Sequence, residues 1–394
     1  MEALRFTGSG SEYFKIWIVN VSLTIITLGI YYPWAKVRNR RYFYANTNLA
    51  DRNFEYHATG KQLFIGFLIA TGIFIVFRVI SQISPIGGSL VLLGALFLAI
   101  PWLIWRSLMF NIRVTSFSNV HFAFKRKLKQ AYVNFFVYPF LLTGLLVGVN
   151  LVISVVITKL ILNSDDNSLD WLGNIMPIIM IASFLLGFYL FALIKKKNIE
   201  YVINGSRYGQ GIFETILETK KFVIINLKAI GVSLVVVGII GAFMAMFGGG
   251  MELLSTFNPE NLEEPKMSKG FLGIIAMLYL FMILAMILIM SFTITRQRTY
   301  IYENTKLDNK ISFSSTLRAR DFAWVMLSNM LLVLITLGFA MPWAKVRMAR
   351  LMLENTLIDT SVGFDEYITQ KQDEESSLGE QIGDAFDVDV GVEF

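Results

Sequence analysis

The sequence contains no cysteine and two histidines, and these shortages exclude several kinds of chemistry. Without cysteine there is no disulfide, no thiolate nucleophile and no thiolate-bound metal. His57 and His121 are too few for a multi-histidine metal centre. The sequence also lacks a Walker phosphate loop, a His-Glu-x-x-His pair, a Gly-x-Ser-x-Gly elbow and a dinucleotide-binding fingerprint in context. We therefore expect no catalytic residues, no metal and no cofactor, and a protein that is not an enzyme.

Charge is also scarce. Charged residues make up 16% of the 394 residues, whereas an ordinary soluble domain has about a quarter. Hydrophobic residues make up 55%, and the mean hydropathy is +0.58. A soluble core cannot hide this much apolar surface, so the sequence predicts an integral membrane protein. Residues 1–11 are polar and carry Glu2 and Arg5, so we expect no secretory signal there.

Eight apolar segments have roughly the length, about 20 residues, at which a helix crosses a bilayer. They lie at 13–34, 62–83, 88–105, 135–162, 174–194, 222–247, 271–295 and 322–343. Lysine and arginine concentrate in the four loops at 35–61, 106–130, 195–221 and 296–321. Because short basic loops stay in the cytoplasm, we expect these loops inside and the six middle segments as three hairpins.

Ten residues near the start of the chain recur near its end. The sequence ITLG at 26–29, followed by PWAKVR at 33–38, returns at 335–338 and 342–347 with the same gap. An apolar segment, a tryptophan and then positive charge is the order typical of a segment that meets the headgroup layer. We therefore predict related terminal repeats at 12–56 and 321–365. Their interfacial residues are Pro33, Trp34, Lys36, Arg38, Arg41, Pro342, Trp343, Lys345, Arg347 and Arg350.

This motif has two interpretations. Arginines three residues apart share a helix face and can hold lipid phosphates, at about 1 kcal/mol for each cation. Alternatively the motif is a plain topology anchor, since positive flanks need no ligand. The terminal segments either cross the membrane or break between the glycine and the proline and turn back. The charge rule favours the second course, which keeps both copies on one side.

Five polar side chains fall inside apolar segments: Asn20, Arg78, Asn150, Lys159 and Asn329. Buried asparagines bond neighbouring helices, or contact a solute. The two cations extend to the outer interface, or form a vestibule for an anionic solute.

A smaller pattern follows several segments, in which an asparagine precedes an aromatic residue by eight or nine positions. The pairs are Asn46 with Phe54, Asn204 with Phe213, Asn304 with Phe313 and Asn355 with Phe364, and the region 111–122 fits approximately. Because asparagine tolerates left-handed turns, the pattern predicts a helix end, a turn and a short aromatic strand or hairpin.

The repeated motif resembles that of the YjgN-type bacterial inner-membrane proteins, a family classed by a domain of unknown function. The resemblance rests on residues 26–38, on the copy at 335–347 and on Phe6-Thr7-Gly8-Ser9-Gly10. It covers nearly the whole chain, although Tyr31-Tyr32 becomes Ala340-Met341 in the second copy. It implies a multi-pass protein of the bacterial inner (cytoplasmic) membrane, and it brings no activity or site residues with it.

The predicted fold class is therefore all-α: a polytopic integral membrane protein with about eight hydrophobic helical segments and small cytoplasmic turn or hairpin elements. Residues 1–367 are expected to form one membrane domain, and 368–394 an acidic, mobile tail. Two functions stay open, a transporter or channel-like protein for a small solute, and a non-transporting scaffold or anionic-lipid-interacting protein. The expected partner is the lipid bilayer, and nucleic acid is not expected because topology explains the basic loops. No pattern specifies an oligomeric state.

Overall fold

Helix pairs and strand pairs alternate along the chain. The structure, a computed structural model, describes residues 1–162, 170–246, 269–361 and 363–386. Its helices are α1 Gly10–Ile26, α2 Tyr32–Ala45, α3 Gly60–Ile83, α4 Pro85–Arg113, α5 Leu128–Tyr132, α6 Tyr138–Leu162, α7 Asp170–Ile203, α8 Thr219–Met246, α9 Lys269–Glu303, α10 Ala319–Ile335, α11 Met341–Glu354 and α12 Phe364–Phe386, with a π-helical turn Val133–Val137 between α5 and α6. Its strands are β1 Glu2–Ala3, β2 Arg5–Phe6, β3 Thr47–Leu49, β4 Arg52–Tyr56, β5 Thr115–Phe117, β6 Val120–Phe124, β7 Ser206–Tyr208, β8 Gly211–Thr215, β9 Thr305–Leu307, β10 Ile311–Ser315 and β11 Thr356–Ile358.

All eleven strands belong to one antiparallel sheet, which we call the ring. The strand order is β1-β11-β10-β9-β8-β7-β6-β5-β4-β3-β2. The two edge strands, β1 and β2, are consecutive in the chain and are separated by Leu4 alone. The sheet therefore curves until its two edges meet at the N-terminal segment, which makes it nearly closed.

The ring consists of five equivalent strand hairpins. In the first, β4 pairs through Arg52 and Asn53 with its own partner β3, and through its last three residues with β5 of the next hairpin. The N-terminal segment repeats this register, because Glu2 and Ala3 pair with β11 while Arg5 and Phe6 pair with β3. Residues 2–6 thus supply the second strand of the fifth hairpin, whose first strand is β11. Closure of the ring therefore joins the N-terminal residues to the last strand of the chain.

Each hairpin starts in the same way. The first residue of β3, β5, β7, β9 and β11 is threonine or serine, and its hydroxyl donates to the carbonyl four residues earlier, at the end of the preceding helix. Turns of two residues follow β3, β5 and β7, a turn of three follows β9, and all four hold residues with positive φ, as tight hairpins require. These residues are Ala50, Asp51, Ser118, Asn119, Gly209, Asp308 and Asn309.

The helices form a second, outer circle on the ring. α1 to α11 each pack mainly on their neighbours in the chain, and α11 also packs on α1, which closes the circle. We call α3–α4, α5/α6–α7 and α8–α9 the long hairpins, and α1–α2 and α10–α11 the short hairpins. The two short hairpins lie side by side because α1 packs on α11.

The short hairpins turn back in the same way in both copies of the repeated motif. Leu28 and Gly29 have positive φ, and so do Leu337 and Gly338. The Thr27 hydroxyl accepts from the Tyr31 N–H at 3.0 Å, as the Thr336 hydroxyl does from Ala340. Both copies of PWAKVR therefore return to the ring, in α2 and α11.

The prediction of an all-α fold with about eight hydrophobic helical segments was wrong. The described residues form eleven strands, and five of their helices are long and apolar enough to cross a bilayer. These spans are Gly60–Gln82, Leu128–Lys159, Ile175–Ile203, Thr219–Ala242 and Ala276–Glu303. Segments 13–34 and 322–343 each contain a helix end and a turn, and α1, with 17 residues, is about 26 Å long, short of the roughly 30 Å hydrocarbon layer.

The interior of the ring is packed on one end of α12, which we call the plug helix. Phe364, Tyr367 and Ile368 of this helix are buried against ring residues. Those ring residues are Leu4, Leu49, Phe117, Val120, Tyr208, Leu307, Ile311 and Ile358. The boundary expected at residue 368 therefore falls inside a packed helix.

Candidate functional site

Four phenylalanines form a layer at the helix-facing end of the ring. Phe54, Phe122, Phe213 and Phe313 each occupy the middle of a five-residue strand and are half-buried. Each lies opposite the last residue of the neighbouring three-residue strand, such as Phe54 opposite Phe117. Ring centroids of neighbouring Phe122, Phe213 and Phe313 are 6.4 and 6.0 Å apart, so the layer is continuous around much of the ring.

Between this layer and the helix ends lies a cavity of about 480 Å³, which we call the chamber. A volume of that size is within the range of small-molecule sites. The helices contribute Tyr44, Asn111, Ile112, Val202, Ile203, Ile301 and Tyr302, and the strands contribute Thr115, Ser206 and Thr305 beside the four phenylalanines. The wall is therefore mostly apolar and aromatic, with a few uncharged polar groups.

A second cavity of about 510 Å³ adjoins the chamber and shares Val202 and Ile203 with it. Its wall is formed by apolar residues of α4, the π turn and α7, together with Lys195 and Asn198. Lys195 is the one charged residue among the described side chains that line either cavity. Its Nζ donates to Oε1 of Gln297, and Nε2 of Gln297 donates to Oδ1 of Asn226 at 3.0 Å.

Polar contacts hold the plug helix across the hairpin turns at the opposite end of the ring. Asp365 pairs with Arg52 at 3.2 Å, and the Gln372 amide donates to the Ser118 carbonyl at 2.6 Å. Glu375 reaches His121, with 2.7 Å between Oε1 and Nδ1. Lys371, whose side chain is 8% exposed, pairs with Asp308 at 3.4 Å.

The Asp308 carboxylate is the centre of this closure. Burial alone raises its pKa, but donation from the Ile212 N–H and the Tyr367 hydroxyl, together with the Lys371 charge, holds the pKa below its ordinary value. Burial, and then the bond to Asp308, raise the pKa of Tyr367. The carboxylate is therefore charged and the phenol neutral at physiological pH, which is the pairing that their hydrogen bond needs.

Comparison with known proteins shows the family to which the chain belongs. The family model described as a bacterial protein of unknown function (DUF898) matches residues 1–385. The chain belongs to this family. Inner membrane protein YjgN of Salmonella typhimurium strain LT2 is 31% identical over 356 residues, which cover 90% of this chain and 88% of the relative. Inner membrane protein YjgN of Escherichia coli K12 is 28% identical over 363 residues, covering 90% and 87%.

The predicted family and location are thereby confirmed. This family member is a multi-pass protein of the inner membrane, as its relatives and its five apolar helices show. No solved structure matches the chain. Among the described residues there is no group of three metal-ligating side chains, and the expectation of a non-enzymatic protein stays a prediction.

In this family member the repeated tryptophans pack on the next helix of the circle. Trp34 lies against Gly60 and Phe64 of α3. Trp343 lies against Gly10 and Phe14 of α1, at the same spacing. The motif thus serves as a contact between neighbouring hairpins, a use that its position beside basic residues did not indicate.

The repeated arginines likewise contact protein. Arg41 donates to the Ala58 carbonyl at 2.9 Å and Arg350 to the Gly8 carbonyl at 3.1 Å, in each case two residues before the next helix. Arg38 donates to Asn20 and Tyr31, and Arg347 to Ser328. The prolines, Pro33 and Pro342, lie buried in the first turns of α2 and α11. Lipid contact by these arginines, or by the neighbouring Lys36 and Lys345, stays a prediction.

The embedded asparagines bond helices. Asn20 donates to Asn39 at 3.0 Å, and Asn329 to the Ala344 carbonyl at 3.0 Å, within the short hairpins. Asn150 accepts from Ser183 at 2.9 Å, between α6 and α7. None of the three lines either cavity, and the described side chains of Arg78 and Lys159 are exposed.

Sequence reasoning missed Lys195 as an embedded group, because it heads a run of three lysines and such a run predicts a cytoplasmic loop. The structure continues α7 to Ile203 and so places Lys195 inside the helix. The aromatic repeat did give a signal for the phenylalanine layer, since Phe54, Phe213 and Phe313 belong to it. The sequence does not show that these aromatic side chains meet in one layer, because the pairing between hairpins brings them together.

Proposed function

We propose that this inner-membrane protein is a non-catalytic binder of amphipathic molecules, with the apolar chain of the ligand held in the chamber. The observation that carries the proposal is the chamber itself, whose floor is the phenylalanine layer. An apolar wall with a few polar groups that fix orientation is the usual composition of a site for an apolar ligand. Burial of an alkyl chain there contributes about 0.8 kcal/mol for each methylene.

The helix circle supports access from the bilayer. In the most apolar 18 residues of each of the five spans, at most 11% of the residues are buried in the protein, so most of this helix surface is open to lipid. The helices are also shorter on one side of the circle. α1 and α11 have 17 and 14 residues, about 26 and 21 Å, whereas α9 has 35 residues, about 52 Å.

The tips of the short hairpins support the same path. Leu28 and Leu337 at the two turns are 93% and 89% exposed, and both tips are apolar. Large exposed apolar side chains of this kind suit contact with lipid tails. The two short hairpins are adjacent and together form a low part of the helix circle. A lipid-soluble molecule can pass over this part from the bilayer to the interior.

A small hydrophilic solute fits this geometry less well. Transport of such a solute would be favoured by a polar cavity beside Asn20, Asn150 and Asn329. In the described structure these side chains bond neighbouring protein groups instead. The chamber wall has no charged residue among its described side chains.

Crosslinking tests the proposal. The full-length protein in lipid nanodiscs is incubated with an uncharged fatty alcohol that carries a diazirine in its chain, and is then irradiated. We expect crosslinks on peptides that contain Ile203, Phe213 and Ile301, and we expect excess unmodified alcohol to compete with them. Crosslinks confined to the outer helix surfaces would contradict the proposal.

Two variants of β4 provide a matched pair. Phe54→Glu puts a carboxylate into the chamber floor and should remove the crosslinks, because a buried charge without a partner is costly. Asn53→Glu puts the same group on the opposite, exposed face of the same strand and should leave them unchanged. Equal crosslinking in both variants would show that the chamber is not the site.

A second candidate function, a channel-like conduit, is favoured by the plug helix, which lies across the end of the ring. Ile368 is 1% exposed in the ring core. For a conduit, Ile368→Asp should displace the plug and release a small fluorescent dye from proteoliposomes. A binder of amphipathic molecules should leave the dye inside, so the same assay separates the two functions.

A further inference from the structure

We infer that Lys195 binds an oxyanion at the end of an apolar chain, so that the ligand class is an anionic amphiphile such as a fatty carboxylate or an anionic phospholipid. This inference rests on the proposed function and adds the head-group chemistry to it. It begins with the position of Lys195 in the wall of the second cavity, beside the chamber.

Lys195 behaves unlike the two lysines that follow it. Lys196 pairs with Glu200 at 3.6 Å, and the Lys197 ammonium lies 4.4 Å from the ring centroid of Tyr138. Lys195, on another face of the helix, has no carboxylate within ion-pair distance among the described residues. A plain snorkelling lysine extends to water, whereas this one is bonded to an amide of α9.

The ammonium is held in place by a relay of two amides. Gln297 is 5% exposed and Asn226 is 9% exposed, so both lie in the protein interior. Since Nε2 of Gln297 donates to Asn226, its Oε1 faces Lys195. The relay therefore orients the lysine before any ligand arrives.

The remaining hydrogen-bonding capacity points to an anion. An ammonium has three N–H donors, and one of them is directed to Gln297. A cation inside a membrane protein is costly unless it has a partner of opposite charge, and such groups mark ligand sites by default. Among the described residues around both cavities no carboxylate supplies that partner, so the oxyanion comes with the ligand.

The apolar walls of the cavity determine the chemistry of the remaining part of the ligand. Lys195 lies among Ile104, Leu108, Phe135 and Phe191, which suit an alkyl chain and not a free inorganic anion. Asn198, one turn along α7, lines the same cavity, and its Oδ1 is buried with no partner among the described residues. A hydroxyl on the head group would satisfy that oxygen.

The test compares anionic and neutral ligands on the full-length protein in detergent, with bound molecules counted by native mass spectrometry. The probes are oleate, dioleoyl phosphatidylglycerol and oleyl alcohol. Lys195→Met should weaken oleate or phosphatidylglycerol binding by about ten- to a hundredfold, the loss expected for a hydrogen bond to a charged group. Oleyl alcohol should bind as in the wild type, and Lys197→Met should leave all three probes unchanged.

A second variant keeps the test decisive if Lys195→Met does not fold. Gln297→Glu is nearly isosteric and gives Lys195 an internal carboxylate, so it should weaken the anionic probes in the same way. A response to oleate alone identifies a free fatty acid, and a response to phosphatidylglycerol alone identifies a phospholipid. Unchanged binding of both anions in either folded variant overturns the inference. If Phe54→Glu abolishes oleyl alcohol binding in that case, the proposal for the chamber stands without the inference on Lys195.

Discussion

The short and long hairpins join the ring in the same way but reach to different heights. Each short hairpin ends its first helix with ITLG, turns through Leu28 and Gly29 or through Leu337 and Gly338, and returns. The long hairpin α3–α4 instead continues for 24 residues before it turns at Ser84. Every pair of helices nevertheless leads into a three-residue strand that begins with threonine or serine.

The difference shows which parts of the repeated unit are fixed. The strand hairpin must keep its register, because a one-residue shift would turn the inward side chains outward. A helix surrounded by lipid needs only apolar side chains, so its length and sequence vary freely. The two short hairpins keep a recognisable motif because their turns and their tryptophan–glycine contacts depend on particular residues.

The largest expected contrast is in exposure to the outer aqueous side. Because the chain has no cysteine, single cysteines report cleanly. Ser84→Cys lies at the turn of a long hairpin and should react in intact cells with a membrane-impermeant maleimide. Leu28→Cys lies at the tip of a short hairpin and should not, since its helices, about 26 and 21 Å long, are shorter than the roughly 30 Å hydrocarbon layer. Labelling at both positions would show that the short hairpins cross.

The next contrast is between two glycines of α3. A Cβ at Gly60 would collide with the Trp34 ring, whereas one at Gly66 meets nothing within 4 Å. Gly60→Ala should therefore destabilise the protein by about 1–3 kcal/mol through overpacking. Gly66→Ala should be neutral or stabilising by up to about 1 kcal/mol, since alanine is the better helix former.

Thermal unfolding followed by size-exclusion chromatography in detergent measures both variants. A lower midpoint for Gly60→Ala alone supports the tryptophan–glycine contact as the joint between a short and a long hairpin. Equal unfolding midpoints for the two variants would show that the contact contributes no stability. The repeated tryptophan would then be a plain topology anchor, the other interpretation of the motif.

Membrane character and inner-membrane location were predictable because they depend on composition and on charge between segments. The ring was not. Each strand has two to five residues, too few for an alternating pattern to stand out, and the sheet pairs residues as distant as Glu2 and Ile358. The asparagine–aromatic spacing did predict a short strand or hairpin, but only pairing between hairpins converts these elements into one sheet.

The candidate site was predictable to a smaller extent. The order of apolar segment, tryptophan and cations predicts a place at the membrane surface. Four of the cations nevertheless donate to protein oxygens, which composition cannot show: Arg38, Arg41, Arg347 and Arg350. The acidic tail was expected to be mobile because its overall composition is polar. Within that tail, Ile368 shares one helix face with Phe364 and Tyr367, which lie just before the tail, and this face fills the ring.

The smallest expected effect concerns the plug helix, which depends on the ring and not on the membrane. Asp308→Asn removes the charge that Lys371 faces and weakens the Tyr367 bond, for an expected loss of about 1–2 kcal/mol in plug docking. The population of the displaced plug should rise by about 5- to 30-fold. Limited proteolysis within α12 measures this population. Asp51→Asn, in the turn of another hairpin, is the matched control because Asp51 has no ion pair among the described residues.

Acid should have the same effect on the wild-type protein. Since the folded pKa of Asp308 lies below its ordinary value of 3.8, the carboxylate stabilises the docked plug fully at pH values well above 3.8. That contribution is lost as the pH falls below 3.8 and through the lower folded pKa. Asp308→Asn cannot lose it, so a spin label on α12 should gain mobility with acid in the wild type and much less in the variant. Equal acid responses would mean that contacts other than the Asp308–Lys371 pair control the plug.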